Sequence, residues 1–343
     1  MMRTTHSILM FYTGGTIGMM KDPESDALKP LDFDHIHKEI PELKKFDYHL
    51  VWKSLDPILD SSNIQPDNWV QIARTIFDHY SDFDAFVILH GTDTLAYSAS
   101  AMSFMLQGLQ KPIIFTGSQL PIGLIRTDGR ENLISAIEMA GARDGWKPMV
   151  PGVSIYFENQ LFQANRTTKY SAEDFNAFIS PNYPVLAESG VHLKFHKKAI
   201  NRPPANTELK MYDRLGGNVG LLKLFPGIPE SQVSSLFQGS GLKGIVMETY
   251  GSGNAPMQAW FLENISSFVQ KGGVILNVTQ CLAGMVDQGR YETSLSLKEA
   301  GVIGGADITT EAAITKMMHL LGQDYDHERL IFFLNTSISG EFN

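Results

Sequence analysis

The chain has 343 residues, of which 43% are hydrophobic and 19% charged. That composition suits a globular protein with sizeable cores, and the length favours two domains over one. The formal net charge of -9, with no basic run longer than Lys197-Lys198, excludes a nucleic-acid backbone or an anionic membrane as the main partner.

Residues 8–12 form an apolar, strand-length run that stops at Thr13-Gly14-Gly15-Thr16-Ile17-Gly18. The run is too short for a secretory core, and no stretch of ~18 apolar residues is present to span a membrane, so a cytoplasmic location is expected. Residues 48–52 read as a second strand, followed by the polar turn Asp60-Ser61-Ser62-Asn63. Pro66 then opens a helix with Trp69, Ile72, Ala73, Ile76, Phe77 and Tyr80 on one apolar stripe. Phe86-Val87-Ile88-Leu89 is a continuous apolar run, as expected of a strand covered on both faces, and it ends in His90-Gly91-Thr92-Asp93-Thr94. A helix through Ala99, Met102 and Met105 follows, then a strand at residues 112–116 running into Gly117-Ser118-Gln119. Asp128 to Glu131 has the spacing of a capping box at the head of a helix through Ala142, and residues 153–157 form a further strand.

Strand, polar loop and helix repeating in this way indicate βαβ units and a parallel sheet. The polar residues gather just after strand C-termini, where open α/β sheets bind ligands. From residue 196 to 217 the periodicity lapses and a double proline, Pro203-Pro204, intervenes. It resumes in strands near residues 219–224, 244–247 and 274–278, with helices after Pro229, Met257 and Thr309. The expected fold is α/β. A larger N-terminal parallel-sheet (flavodoxin-like) domain over residues 1–195 and a linker over 196–217 precede a smaller α/β domain over 218–343.

The first loop admits competing readings. Gly14 and Gly15 lack a Cβ and let a ligand approach the main chain, whose N–H groups can face an anion. Alternatively, Thr16 is a hydroxyl nucleophile presented at a strand end, or the loop is only a tight turn. Neither the dinucleotide nor the P-loop signature is met. An alcohol needs an assisting base or field. Thr92-Asp93, ending another central strand, can supply one, with a lysine tuning proton affinity. The candidate is Lys169, in Ala164-Asn165-Arg166-Thr167-Thr168-Lys169, although a lone lysine is ordinarily solvated. Asp60-Ser61-Ser62 suits an α-ammonium group, or else caps the Pro66 helix. His35-x-His37, His319 and His327 show no metal-ligand spacing. His90 reads as the end of a buried strand with its ring hydrogen-bonded. The single cysteine, Cys281, excludes an intrachain disulfide and reads as a small buried apolar side chain.

Residues 10–18 and 85–95 together resemble the two signature patterns of the bacterial-type L-asparaginase family. The resemblance extends to Asn165–Lys169, Tyr250-Gly251-Ser252-Gly253-Asn254-Ala255-Pro256 and residues 300–307, in the manner of the cytoplasmic type I branch. It implies hydrolysis of L-asparagine to L-aspartate and ammonia without metal or cofactor, by a homotetramer built as a dimer of dimers, with weak activity on glutamine. By position, Thr16 would be the nucleophile forming a β-aspartyl ester. Thr92, Asp93 and Lys169 would handle the protons, and Asp60, Ser61 and Ser62 would hold the substrate's α-groups. Asn254 would reach a neighbouring subunit's site. Two departures stand out. Leu28 occupies the place of a tyrosine that many members carry near the nucleophile, which makes Tyr291 a candidate assistant for Thr16. Glu248 stands where some type I enzymes have an arginine of an allosteric asparagine site, with Thr168 and Cys281 at related positions, so activation by asparagine is expected to be weak or absent. The alternatives are a non-catalytic amino-acid sensor and a glutamine-hydrolysing amidotransferase subunit.

Overall fold

The computed structural model describes residues 6–21, 28–30, 36, 40–239, 241–289 and 292–343, and the chain divides into two compact units, residues 1–213 and 214–343. In the first unit, β1 (His6–Tyr12), β2 (Tyr48–Ser54), β3 (Ala85–Leu89), β4 (Pro112–Thr116) and β5 (Gly152–Phe157) run parallel in the spatial order β2-β1-β3-β4-β5. This is the flavodoxin-like strand order. The sequence dictates it locally: Ile8, Leu9 and Met10 are consecutive and all fully buried, as is every residue of β3. Neighbouring strand residues face opposite sides, so such runs are stable only with layers on both faces.

The sheet then departs from a purely parallel one. Glu158 and Asn159 both adopt positive φ, 44° and 67°, and turn the chain back into the antiparallel β6 (Gln160–Gln163). A two-residue turn of this twist matches the strands it joins. The short strands β7 (Ala187–Glu188) and β8 (Lys194–Phe195) continue this edge to complete eight strands. Helices α1 (Pro66–Asp78), α2 (Leu95–Met105) and α3 (Gly129–Gly141) cover the sheet. On one face, Leu133, Ala136, Ile137 and Ala140 of α3 pack with Ile8, Met10, Val87, Leu89 and Ile114. Helix α2 is buried nearly all round, and Ser98 on it accepts a hydrogen bond from the Trp69 indole of α1 at 2.9 Å.

Two expectations about helix starts are corrected. Helix α1 is capped by Gln65 in a reciprocal box with Asn68, while Asp60 caps only the short turn Ser61–Asn63. Asp128 does not cap α3: its carboxylate is turned to the amides of Gln119 and Leu120.

The second unit holds a parallel sheet of β9 (Val219–Lys223), β10 (Gly244–Thr249), β11 (Val274–Thr279) and β12 (Ile303–Gly304), in sequential order. Its helices are α4 (Glu230–Gln238), α5 (Ala259–Gln270), α6 (Glu292–Glu299), α7 (Thr310–Leu321) and α8 (His327–Leu334). Lys316 of α7 and Glu341 form an ion pair of 2.6 Å, and both side chains are completely buried. Cys281 lies on the surface and not in the core. It belongs to the irregular segment after β11, where the exposed Leu282 and Met285 also lie, so no layer covers it. No helix among the described residues is long and apolar enough to cross a membrane.

Candidate active site

In a sheet ordered β2-β1-β3, the connections diverge on either side of β1, and the strand C-termini there leave a crevice suited to a ligand. The loops after β1, β2 and β3 meet at that place. Main-chain bonds stitch them together: Thr13 N–H donates to Leu89 O at 2.9 Å, Leu55 N–H to Tyr12 O at 2.8 Å and Leu59 N–H to Thr13 O at 3.0 Å. Gly14 and Gly15 sit at φ 135° and 88°. A Cβ on Gly14 would collide with the Leu59 carbonyl, and one on Gly15 with the Cα and nitrogen of Gly91. A Cβ on Gly91 would in turn run into the Ser61 side chain. The missing side chains therefore let loop approach loop, and protein fills the space that a ligand would need in the phosphate-cradle reading.

That reading also lacks its electrostatic half. Thr16 opens a single 3₁₀ turn, Thr16–Gly18, which passes directly into the strand Met19–Lys21. With no α-helix after the loop, no helix N-terminus faces an anion. What the loop offers is the half-buried side chain of Thr16 at the C-terminal end of β1.

On the next loop, Thr92 is 9% exposed. Lys169 Nζ donates to Thr92 Oγ1 at 2.9 Å and to Asp93 Oδ1 at 2.8 Å. The lysine side chain is only 18% exposed against 65% for Asp93, so the ammonium is the sheltered partner. The β5–β6 reversal delivers it. After β6, the turn Ala164–Arg166 is pinned by Thr167 Oγ1 donating to Gln163 O at 2.7 Å, and by the fully buried Arg166 donating to Asn182 O at 3.1 Å. The ribbon of Thr168–Lys169 with Phe178–Ile179 then holds the lysine. The Thr92 hydroxyl donates onward to Gln119 Oε1 at 3.3 Å, and Gln119 Nε2 donates to the carbonyls of Ala172 and Asp174.

Asp60 Oδ1 accepts from the Ser62 amide at 2.8 Å and the Ser62 hydroxyl at 2.7 Å. The hydroxyl bond first, and then the amide bond, hold the Asp60 carboxyl below its usual range, so it is anionic at neutral pH. Oδ2 has no hydrogen-bond donor among the described residues. Ser61 is 4% exposed, and its carbonyl accepts from Thr94 Oγ1 at 2.7 Å, tying the Asp60 loop to the Thr92 loop.

The structure thus brings Thr92, Asp93 and Lys169 into direct contact, with Asp60, Ser61, Ser62 and Thr16 on the adjoining loops. Asn254, Glu248 and Cys281 belong to the second unit. Asn254 closes a tight loop against Tyr250 through paired main-chain bonds of 2.9 Å. Glu248 pairs with Lys223 at 3.0 Å and accepts from Thr310 Oγ1 at 2.7 Å. Thr168 is in the ribbon beside Lys169. Tyr291, like His35 and His37, lies outside the described residues. Gln119 and Thr94 carry no assignment in the sequence, and Asp128 is read there only as a helix cap. Gln119 had a usable signal, because it follows a central strand as Thr16 and Thr92 do. The Asp128 carboxyl is pushed up by burial, against the opposing bonds from the Gln119 and Leu120 amides that it anchors.

A family model described as "Asparaginase, N-terminal" matches residues 7–201, and one described as "Glutaminase/Asparaginase C-terminal domain" matches residues 218–331. L-asparaginase 1 of Escherichia coli (strain K12) is 40% identical over 346 residues, covering 98% of this chain and 97% of that protein. Among solved structures, L-asparaginase I from Vibrio cholerae superposes with a TM-score of 0.87 at 34% identity, covering 99% of this chain and 100% of that one. The thermostable L-asparaginase from Thermococcus kodakarensis gives a TM-score of 0.90 at 32% identity, with coverages of 98% and 99%.

Proposed function

This chain belongs to the asparaginase family of amidohydrolases, and from that premise we propose that it hydrolyses the side-chain amide of L-asparagine, giving L-aspartate and ammonia. The reaction runs through a covalent ester. Thr16 Oγ1 attacks the amide carbon as its proton is drawn off, and the C–N bond breaks as the leaving nitrogen takes up a proton and departs as ammonia. Water then attacks the β-aspartyl ester, the C–O bond to Thr16 breaks, and the hydroxyl is restored. Thr92, Asp93 and Lys169 manage the protons of both halves, while Asp60, Ser61 and Ser62 hold the α-ammonium and α-carboxylate.

One observation carries the reading: the sheltered Lys169 ammonium donates to the Thr92 hydroxyl and the Asp93 carboxylate together, at 2.9 and 2.8 Å. A cation bound to an alcohol oxygen favours the charge that oxygen gains as it gives up a proton, and the carboxylate keeps the lysine in place. The anionic Asp60, whose Oδ2 takes no donor from the described residues, suits an ammonium ligand. In this reading residues 1–195 form the catalytic domain and 196–217 a linker to the domain of residues 218–343. The chain works in the cytoplasm as a homotetramer, with Asn254 serving a neighbouring subunit's site and Tyr291 assisting Thr16. Glutamine is a weak second substrate, since excluding one methylene discriminates by only ~10–200-fold.

Ammonia release from L-asparagine tests the proposal. Thr16→Ala and Thr92→Val should each lower turnover by at least ~100-fold, the usual scale for loss of a nucleophile or proton-transfer group, with circular dichroism unchanged. Unchanged turnover in either variant would refute it.

A further inference from the structure

The loop carrying Thr16 and the loop carrying Thr92 touch through Gly15 and Gly91, main chain against main chain, where no side chain can be inserted. A contact of two bare peptide segments has little dispersion energy and no interlocking shape to fix its geometry. Two buried rings supply what it lacks. Tyr12, with no exposure, donates its phenol proton to the carbonyl of Gly15 at 3.0 Å. The ring also lies directly beneath Gly18, so close that a Cβ there would overlap it. His90, likewise without exposure, directs Nδ1 at the carbonyl of Gly91 at 2.7 Å, beside the ring of Phe115. A carbonyl only accepts, so Nδ1 carries the proton. Nε2 is left with no partner among the described residues.

We propose that Tyr12 and His90 are positioning residues of the amide hydrolysis. They hold the Gly15 and Gly91 carbonyls and thereby fix the peptide planes that lead into Thr16 and Thr92. The inference rests on the reading of those two threonines as the reacting hydroxyls. Each carbonyl shares its peptide group with the following threonine's N–H, so orienting it orients the threonine Cα and the hydroxyl beyond. Both rings act as neutral donors. Burial pushes the Tyr12 phenol up to about 12 and the His90 imidazolium down to about 4. Neither titrates across the neutral range, so neither exchanges protons with substrate. Nε2 takes no partner among the described residues, and a leucine or phenylalanine at position 90 would remove that unsatisfied nitrogen but leave the Gly91 carbonyl without its donor, so the Nδ1–H is the group for which the ring is needed.

Three variants of the full chain test this. Tyr12→Phe removes one donor and keeps the ring; His90→Leu removes the other; His90→Asn keeps a donor near the Nδ1 position. Tyr12→Phe and His90→Leu should each lower kcat by ~10–100-fold with KM within ~3-fold, the signature of misplaced reacting groups. His90→Asn should recover most of that loss. Amide hydrogen exchange should quicken over residues 13–18 in Tyr12→Phe and over 90–94 in His90→Leu. If Tyr12→Phe keeps its kcat, or His90→Asn is as impaired as His90→Leu, the proposal is overturned. Should His90→Leu fail to fold, Tyr12→Phe decides alone, since it leaves the packing intact. A wild-type chain that releases no ammonia would refute the functional reading instead. The exchange data would then judge the clamp, and unchanged protection would overturn it.

Discussion

Replacing Lys316 by methionine removes a cation from a place that water does not reach. Its ammonium donates to Glu341 at 2.6 Å and to Thr336 O at 2.8 Å, and lies 4.5 Å from the centre of the Phe342 ring. Burial pulls the lysine pKa down, and Glu341 opposes that pull by charge and hydrogen bond. In Lys316→Met the Glu341 carboxylate keeps the amides of Ile338 and Ser339 but loses its counter-ion. Breaking a buried pair from one side costs about 3–5 kcal/mol, most of it from the charge left behind. In a unit the size of residues 214–343 that is roughly an 11–18 °C drop in melting temperature. Glu341→Gln should behave alike, whereas the double variant Lys316→Met/Glu341→Gln should recover much of the loss, because no charge is left buried and the amide oxygen still accepts from Ile338 and Ser339. Urea and thermal unfolding of the four proteins complete a double-mutant cycle. Single variants within about 1 kcal/mol of wild type, or a double variant as weak as the sum of the singles, would refute the argument.

Lys169→Met should lower kcat by ~10²–10⁴-fold, since proton transfer in the site loses its cation; steady-state ammonia release measures this, and a loss under tenfold would contradict it. Asparagine should saturate the enzyme hyperbolically, because Glu248 is an anion already occupied by Lys223 and Thr310 and offers nothing to a carboxylate effector; a Hill coefficient well above one would overturn this. Acid should destabilise the fold through His90 and His319, which burial lowers from 6.5 to about 4. For a folded-state pKa below the unfolded one, stability is fully present above about pH 6.5 and is lost as pH falls toward 4, at about 3 kcal/mol for each ring. Urea midpoints between pH 7.5 and 4.5 should trace that decline, and a flat profile would disprove it.

The parallel core was legible in the sequence because its strands are buried on both faces: Ile8 to Met10 and Phe86 to Leu89 leave no other reading. Apolar periodicity does not give the strand order, since it says which face is covered and nothing of which strand is neighbour; the order observed is the one expected of a flavodoxin-like sheet. The Thr92–Lys169 contact spans 77 residues and depends on the hairpin at Glu158–Asn159, whose positive φ angles a sequence pattern does not reveal. Gly14 and Gly15 matter for the lack of a Cβ, as the sequence suggests, but the groups that a Cβ would meet there are the main chains of Leu59 and Gly91. Asp128 misled because a capping spacing was present while a stronger demand, two loop amides, took the carboxylate. Helix α8 buries only Leu330 and Leu334, too few residues to declare a period.

The contact between Gly15 and Gly91 has a genetic corollary. A defect caused by an oversized core side chain can often be relieved by trimming a neighbouring one. Here the neighbour is peptide backbone, which has nothing to trim. An enzyme crippled by Gly15→Ala should therefore yield same-codon revertants in a growth selection, and very few second-site suppressors, even from large mutant pools.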